Sequence, residues 1–117
     1  GLREAIGKIR AQRRSYWQDV RVPGAGQELN HSLEKAGRVD DFFELAELMS
    51  LDAVERRESC GTHLRVEHQT PEGEALRNDE DYTHVSAWEW VDADTPWIKH
   101  NEELVFENVE LTQRSYK

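Results

Sequence analysis

The sequence predicts a mainly α fold, an antiparallel helical hairpin or small helical bundle followed by an extended C-terminal segment with a β-hairpin. Three observations carry this expectation. Two long stretches repeat apolar residues at helical spacing, a Pro- and Gly-containing turn separates them, and beyond Gly61 the periodicity changes to alternation. The 117 residues suffice for one domain with a modest core and are too few for two independent ones, so residues 1–117 are read as a single domain.

The first helix is expected over about residues 2–20, where Leu2, Ala5, Ile6, Ile9, Arg13, Trp17 and Val20 recur on one stripe with charges between them. "VPGAGQ" (residues 22–27) is a turn. A second, longer helix follows over about residues 29–60, with Leu29, Leu33, Ala36, Val39, Phe42, Phe43, Ala46, Met49 and Ala53 in its pattern. Asn30 or Ser32 is placed to cap its start. Gly37, inside the helix, costs up to about 1 kcal/mol relative to Ala and permits a break or a close backbone approach. Gly61 suits the left-handed position that closes many helices.

After Gly61 the residues change character. "HQTPEGEALRNDEDY" (residues 68–82) has Pro, Gly and many acids with little to bury, so residues 66–82 read as a solvated loop. The strand-like tail is expected over residues 83–117. "THVSAWEWV" (residues 83–91) sets His84, Ser86, Trp88 and Trp90 on one face of a strand, "DADTP" (residues 92–96) is a turn, and "ELVFENVEL" (residues 103–111) is the second strand. Four tryptophans in so polar a chain imply aromatic surface meant for burial, some of it against a partner.

Composition excludes several functions. With 15 basic and 24 acidic residues the net charge is −9, which opposes binding to nucleic acid or directly to an anionic membrane. No apolar run approaches the roughly 20 residues that span a bilayer, and no secretory signal opens the chain. One cysteine forms no internal disulfide, which fits a reducing cytoplasm. A start at Gly1 rather than Met, with helix from residue 2, is expected of a piece of a longer chain.

The densest chemistry lies in "ERRESCGTHLR" (residues 55–65). Cys60, His63 and His68, with His84 or Asp79, offer a zinc-like set, but the second tight ligand pair of such sites is missing. Ser59, Cys60 and His63 are close enough in sequence to suggest a nucleophile and base, yet no glycine-rich elbow accompanies them. No dinucleotide fingerprint, phosphate loop or HExxH occurs anywhere. What remains is electrostatic: Arg56, Arg57 and Arg65 at a helix C-terminus are either solvated or aimed at carboxylates or phosphates across an interface. An independent acidic interaction module is the alternative reading for the whole chain.

"GRVDDFFELAELMSLDAVERRESCGTHLRVEHQTPEGEALRNDEDYTHVSAWEW", followed by "LVFENVELTQRSYK", resembles the C-terminal domain of the flavoprotein subunit of succinate dehydrogenase and fumarate reductase over essentially the whole chain. The most specific residues are Arg56, Glu58, Ser59, Gly61, His63 and Arg65 in R-x-E-S-x-G-x-H-x-R, then "RNDEDY" and "RSY". Cys60 stands where better-known members carry Arg, which is similar to the actinobacterial and Bacteroidetes branch, associated with a single cytochrome b subunit and menaquinone. L-aspartate oxidase and adenylylsulfate reductase have related domains.

The resemblance implies a full-length subunit that interconverts succinate and fumarate on covalently bound FAD. It implies electron transfer through an iron-sulphur subunit to quinone at the cytoplasmic face of the membrane, where a cytochrome b subunit is an indirect partner. It implies that flavin and dicarboxylate are held by flavin-binding and capping domains upstream. Residues 1–117 then hold no catalytic, cofactor-binding or metal-binding residue. Their role is docking, carried by Arg57, Glu58, Ser59, His63 and Arg65.

Overall fold

The computed structural model describes residues 1–24, 29–92 and 95–112. The chain divides into two compact units, residues 1–55 and 56–117.

The first unit is the expected antiparallel hairpin, made of α1 (Leu2–Asp19) and α2 (His31–Glu55). At the start of α1 Lys8 pairs with Glu4, in the first turn, at 2.6 Å. A carboxylate in the first turn complements the exposed N–H groups there. The helix stops at Val20, whose extended backbone (φ −72°, ψ 130°) cannot continue the spiral. Asn30 is the cap of α2: its Oδ1 accepts from the N–H groups of Ser32 and Leu33, each at 3.1 Å. Its Nδ2 donates to the Pro23 carbonyl at 2.9 Å, and a Cβ built on Gly24 (φ 134°) would lie 2.2 Å from that nitrogen. Only glycine fits there. Of the predicted turn, residues 25–27 lie outside the described residues.

Polar groups dominate the α1/α2 contact. Arg10 Nε donates to Glu47 Oε1 at 2.7 Å, Arg13 pairs with Glu44, Trp17 Nε1 donates to Asp40 Oδ1 at 2.9 Å, and the Tyr16 hydroxyl donates to the Ala36 carbonyl at 2.6 Å. Tyr16 also meets Phe43 edge to face at 5.6 Å. The side of α1 that meets α2 carries Arg10 beside the expected Arg13, so α2 answers with carboxylates, and its apolar residues are divided between two faces. Ala36 and Phe43 face α1, whereas Phe42, Leu45 and Met49 are 61%, 52% and 63% exposed. Among the described residues Ile6 is the one buried apolar side chain. Gly37 causes neither break nor close approach: α2 runs through it, and an added Cβ would touch nothing.

The second unit begins where α2 ends, at Glu55 rather than at residue 60. The Ser59 N–H turns to the Leu76 carbonyl (2.9 Å), and Cys60 and His63 exchange backbone hydrogen bonds at 2.9 and 3.1 Å, so no helical ladder includes them. Gly61 does have a left-handed φ of 59°, but in this tight turn and not at a helix end. The loop has its own order. Gln69 bridges to Ala75 around a turn at Gly73 (φ 83°), and α3 (Asp79–Tyr82) is one helical turn capped by Asn78, which accepts from the Asp81 N–H at 3.3 Å.

The β-hairpin pairs β1 (His84–Glu89) with β2 (Ile98–Glu103), antiparallel, with His84 opposite Glu103 and Glu89 opposite Ile98. The expected aromatic face is present only in part: His84, Ser86 and Trp88 are less exposed than Val85, Ala87 and Glu89, whereas β1 ends at Glu89 and Trp90, beyond it, is 54% exposed. Trp88 has Lys99 directly opposite, its ammonium 5.7 Å from the ring centroid. The second strand, expected over residues 103–111, instead lies at "IKHNEE", adjacent to the turn. Asp92 Oδ1 accepts from the Thr95 N–H at 2.7 Å and draws the chain back at once. Residues 104–112 form an exposed segment without helix or strand, bent at residues 107 and 108. Residues 93, 94 and the closing "RSY" (residues 114–116) are outside the described set.

Candidate functional site

"ERRESCGTHLR" folds into a knot of side chain and main chain. Glu58 and Ser59 are 2% and 0% exposed. Glu58 Oε1 accepts from Arg56 Nε at 2.7 Å and pairs with Nη2 at 2.6 Å, while Oε2 accepts from the Asn78 N–H at 2.9 Å. Both oxygens of this buried carboxylate are therefore satisfied, as burial of a charge demands. Ser59 Oγ accepts from the Arg65 N–H at 2.8 Å and donates to the Arg65 carbonyl at 3.2 Å.

The Arg56 carbonyl collects two donors, His63 Nε2 at 3.0 Å and Arg65 Nη1 at 3.2 Å. A carbonyl accepts only, so Nε2 carries the imidazole proton. Arg65 also grips Glu67 Oε1 through Nε (2.8 Å) and Nη2 (2.6 Å). Glu67's own backbone N–H and the Arg65 guanidinium hold the Glu67 carboxyl below the ordinary range.

These geometries sort the five residues expected to dock. Glu58, Ser59, His63 and Arg65 are brought together and face one another inside the unit. Arg57 is not in the knot; it is exposed, with no hydrogen bond or ion pair among the described residues. Ser59 Oγ is fully enclosed with both its roles taken by Arg65, and His63 Nε2 is bound to the Arg56 carbonyl, with no hydrogen bond from the partly exposed Cys60 thiol to His63, so nucleophile and base are not paired. Among the described residues no three His, Cys, Asp or Glu side chains converge on a metal position.

Two residues outside the expected set complete the site. Asn78 supplies the N–H that closes on Glu58, and Arg77 beside it forks onto Asp79 Oδ1 through Nε (2.9 Å) and Nη2 (2.6 Å). That hydrogen bond to Asp79 pushes the Arg77 guanidinium further toward its charged form, against a smaller cost of burial and with some help from the charges of Asp79 and Glu58. The signal for them was the R-N-D run itself, an arginine two residues before an acid and next to a helix-capping asparagine.

No described helix is long and apolar enough to cross a membrane. A family model described as "Fumarate reductase flavoprotein C-term" matches residues 1–116. Comparison with curated proteins and with solved structures returns no match.

Proposed function

The chain belongs to the fumarate reductase flavoprotein C-terminal family, and from this premise we propose that it is the docking domain of a succinate dehydrogenase or fumarate reductase flavoprotein subunit. The whole subunit would interconvert succinate and fumarate on FAD, passing electrons through an iron-sulphur subunit to quinone at the membrane. Residues 1–117 do not fit the flavin themselves: they contain no G-x-G-x-x-G to approach its pyrophosphate, and the polar groups of the buried knot are turned on one another. Flavin and dicarboxylate are assigned to upstream segments of the same polypeptide, and no chemical step is assigned to this chain.

The observation that carries the reading is the match over residues 1–116. The geometry refines the docking role. The knot fixes the backbone on which Arg57 sits, and Arg57 alone of the five offers its guanidinium outward, where a carboxylate of the flavin-binding domain would take it bidentately. Within the first unit, the exposed Phe42, Leu45 and Met49 offer an apolar surface of their own for contact with a partner domain. A stand-alone acidic module would use the same surfaces without requiring a flavoprotein upstream.

The test is Arg57→Glu in the full-length subunit. Flavin content and assembly with the iron-sulphur subunit should fall, while the Michaelis constant of the flavin-loaded fraction stays unchanged. Normal flavin content with a raised Michaelis constant would sink the docking role, and full-length sequence lacking a strand followed by a glycine-rich fingerprint would favour the acidic module.

A further inference from the structure

The segment after β2 is irregular, exposed and rich in apolar side chains, with Val105, Phe106, Val109 and Leu111 at 79%, 46%, 69% and 47% exposure. It is nevertheless tied at both ends. The Leu104 N–H donates to the Thr83 carbonyl at 3.2 Å, and the Thr112 carbonyl accepts from Arg77 Nη1 at 2.9 Å across 35 positions of sequence.

We infer that Arg77 is the clasp of a C-terminal strap, residues 104–112, and that the buried Glu58–Ser59 pair is the seat that holds the clasp in place.

Two bonds flank Arg77. The Leu76 carbonyl accepts from the Ser59 N–H at 2.9 Å, and the Asn78 N–H donates to Glu58 Oε2 at 2.9 Å. Arg77 thus springs from backbone fixed on either side by the knot. Its Nε and Nη2 are spent on Asp79, which sets the plane of the guanidinium and leaves Nη1 for the strap. The side chain is 21% exposed, so the bond to Thr112 is partly shielded from water. A lysine in its place would keep the charge and lose the fork. The contact on the strap is a main-chain carbonyl, so the clasp grips whatever side chain stands at position 112. On this reading the work of the motif is internal: it orders a segment that ends 35 positions beyond Arg77 in the chain.

Limited proteolysis of the full-length protein with a glutamate-specific protease tests this, following cleavage after Glu107 and Glu110 in the strap against Glu72 in the loop. Arg77→Ala should speed strap cleavage roughly tenfold with the Glu72 site little changed, because an anchored segment must open before a protease accepts it. Arg77→Lys should give an intermediate rate, and Thr112→Ala none. Should Arg77→Ala loosen every site, Arg77→Lys and Asp79→Asn carry the comparison. Strap cleavage no faster than wild type in those variants, or an effect of Thr112→Ala equal to that of Arg77→Ala, would overturn the clasp.

Discussion

The backbone N–H of Asn78 reaches Glu58 Oε2 at 2.9 Å, so a side chain just past the long helix holds down the start of the acidic turn α3. Glu58→Ala strands that N–H and removes the partner of Arg56. Discounted for the partial exposure of Arg56, the loss should be about 2 kcal/mol of local stability. Faster hydrogen exchange at the Ser59 and Cys60 amides would report it, with α1 and α2 unchanged. Glu58→Gln, which keeps one acceptor, should cost less.

Ser59→Ala addresses the same knot through a neutral group. The buried Arg65 N–H would lose its acceptor, at a cost of about 1–3 kcal/mol. The same exchange measurement at Arg65 should show it. An unchanged Arg65 amide would mean that the serine fills space without bonding.

Much of this architecture was legible in the residues. Helical spacing located both helices, Asn30 was one of two candidate caps, and the antiparallel hairpin followed from the short turn. The errors have physical causes. Helical spacing with Gly61 as a closing residue extends the second helix to residue 60, but Glu58 and Ser59 gain buried partners at Asn78 and Arg65 only if the helix has already ended. The second strand was sought where side chains alternate, whereas "IKHNEE" pairs because the Asp92–Thr95 turn places it next to β1, and a local pairing closes the smallest loop. The knot was read as an outward arginine cluster since sequence shows charge and spacing, and the carboxylates that occupy Arg56 and Arg65 are visible only once the chain has folded.

The Arg65–Glu67 pair predicts a pH effect. Glu67 binds its proton more weakly in the folded chain than when unfolded, because its own N–H and Arg65 stabilise the carboxylate. The pair therefore contributes above the ordinary glutamate range, near 4.5, and its contribution is lost as pH falls through the depressed folded value. Carboxyl carbon shifts should show Glu67 titrating below 4.5, and Arg65→Ala should return the midpoint only part of the way, since the backbone N–H remains. A Glu67 midpoint at or above 4.5 in the parent chain would show that the pair is not formed in solution.

Gly61 isolates backbone conformation from packing. Its φ is 59°, and a Cβ built there meets nothing within 4 Å, so substitution carries conformational strain without collision. Gly61→Ala should destabilise the Cys60–His63 turn by about 1 kcal/mol, and Gly61→Asn by less, because Asn tolerates the left-handed region better. The turn sets the distance from His63 to the Arg56 carbonyl, so the strain should appear first in the imidazole. The Nε2 proton, now bound to that carbonyl at 3.0 Å, should exchange faster with solvent in the Ala variant than in the Asn variant. Equal exchange in all three proteins would show that the turn is held by the knot around it and not by the glycine within it.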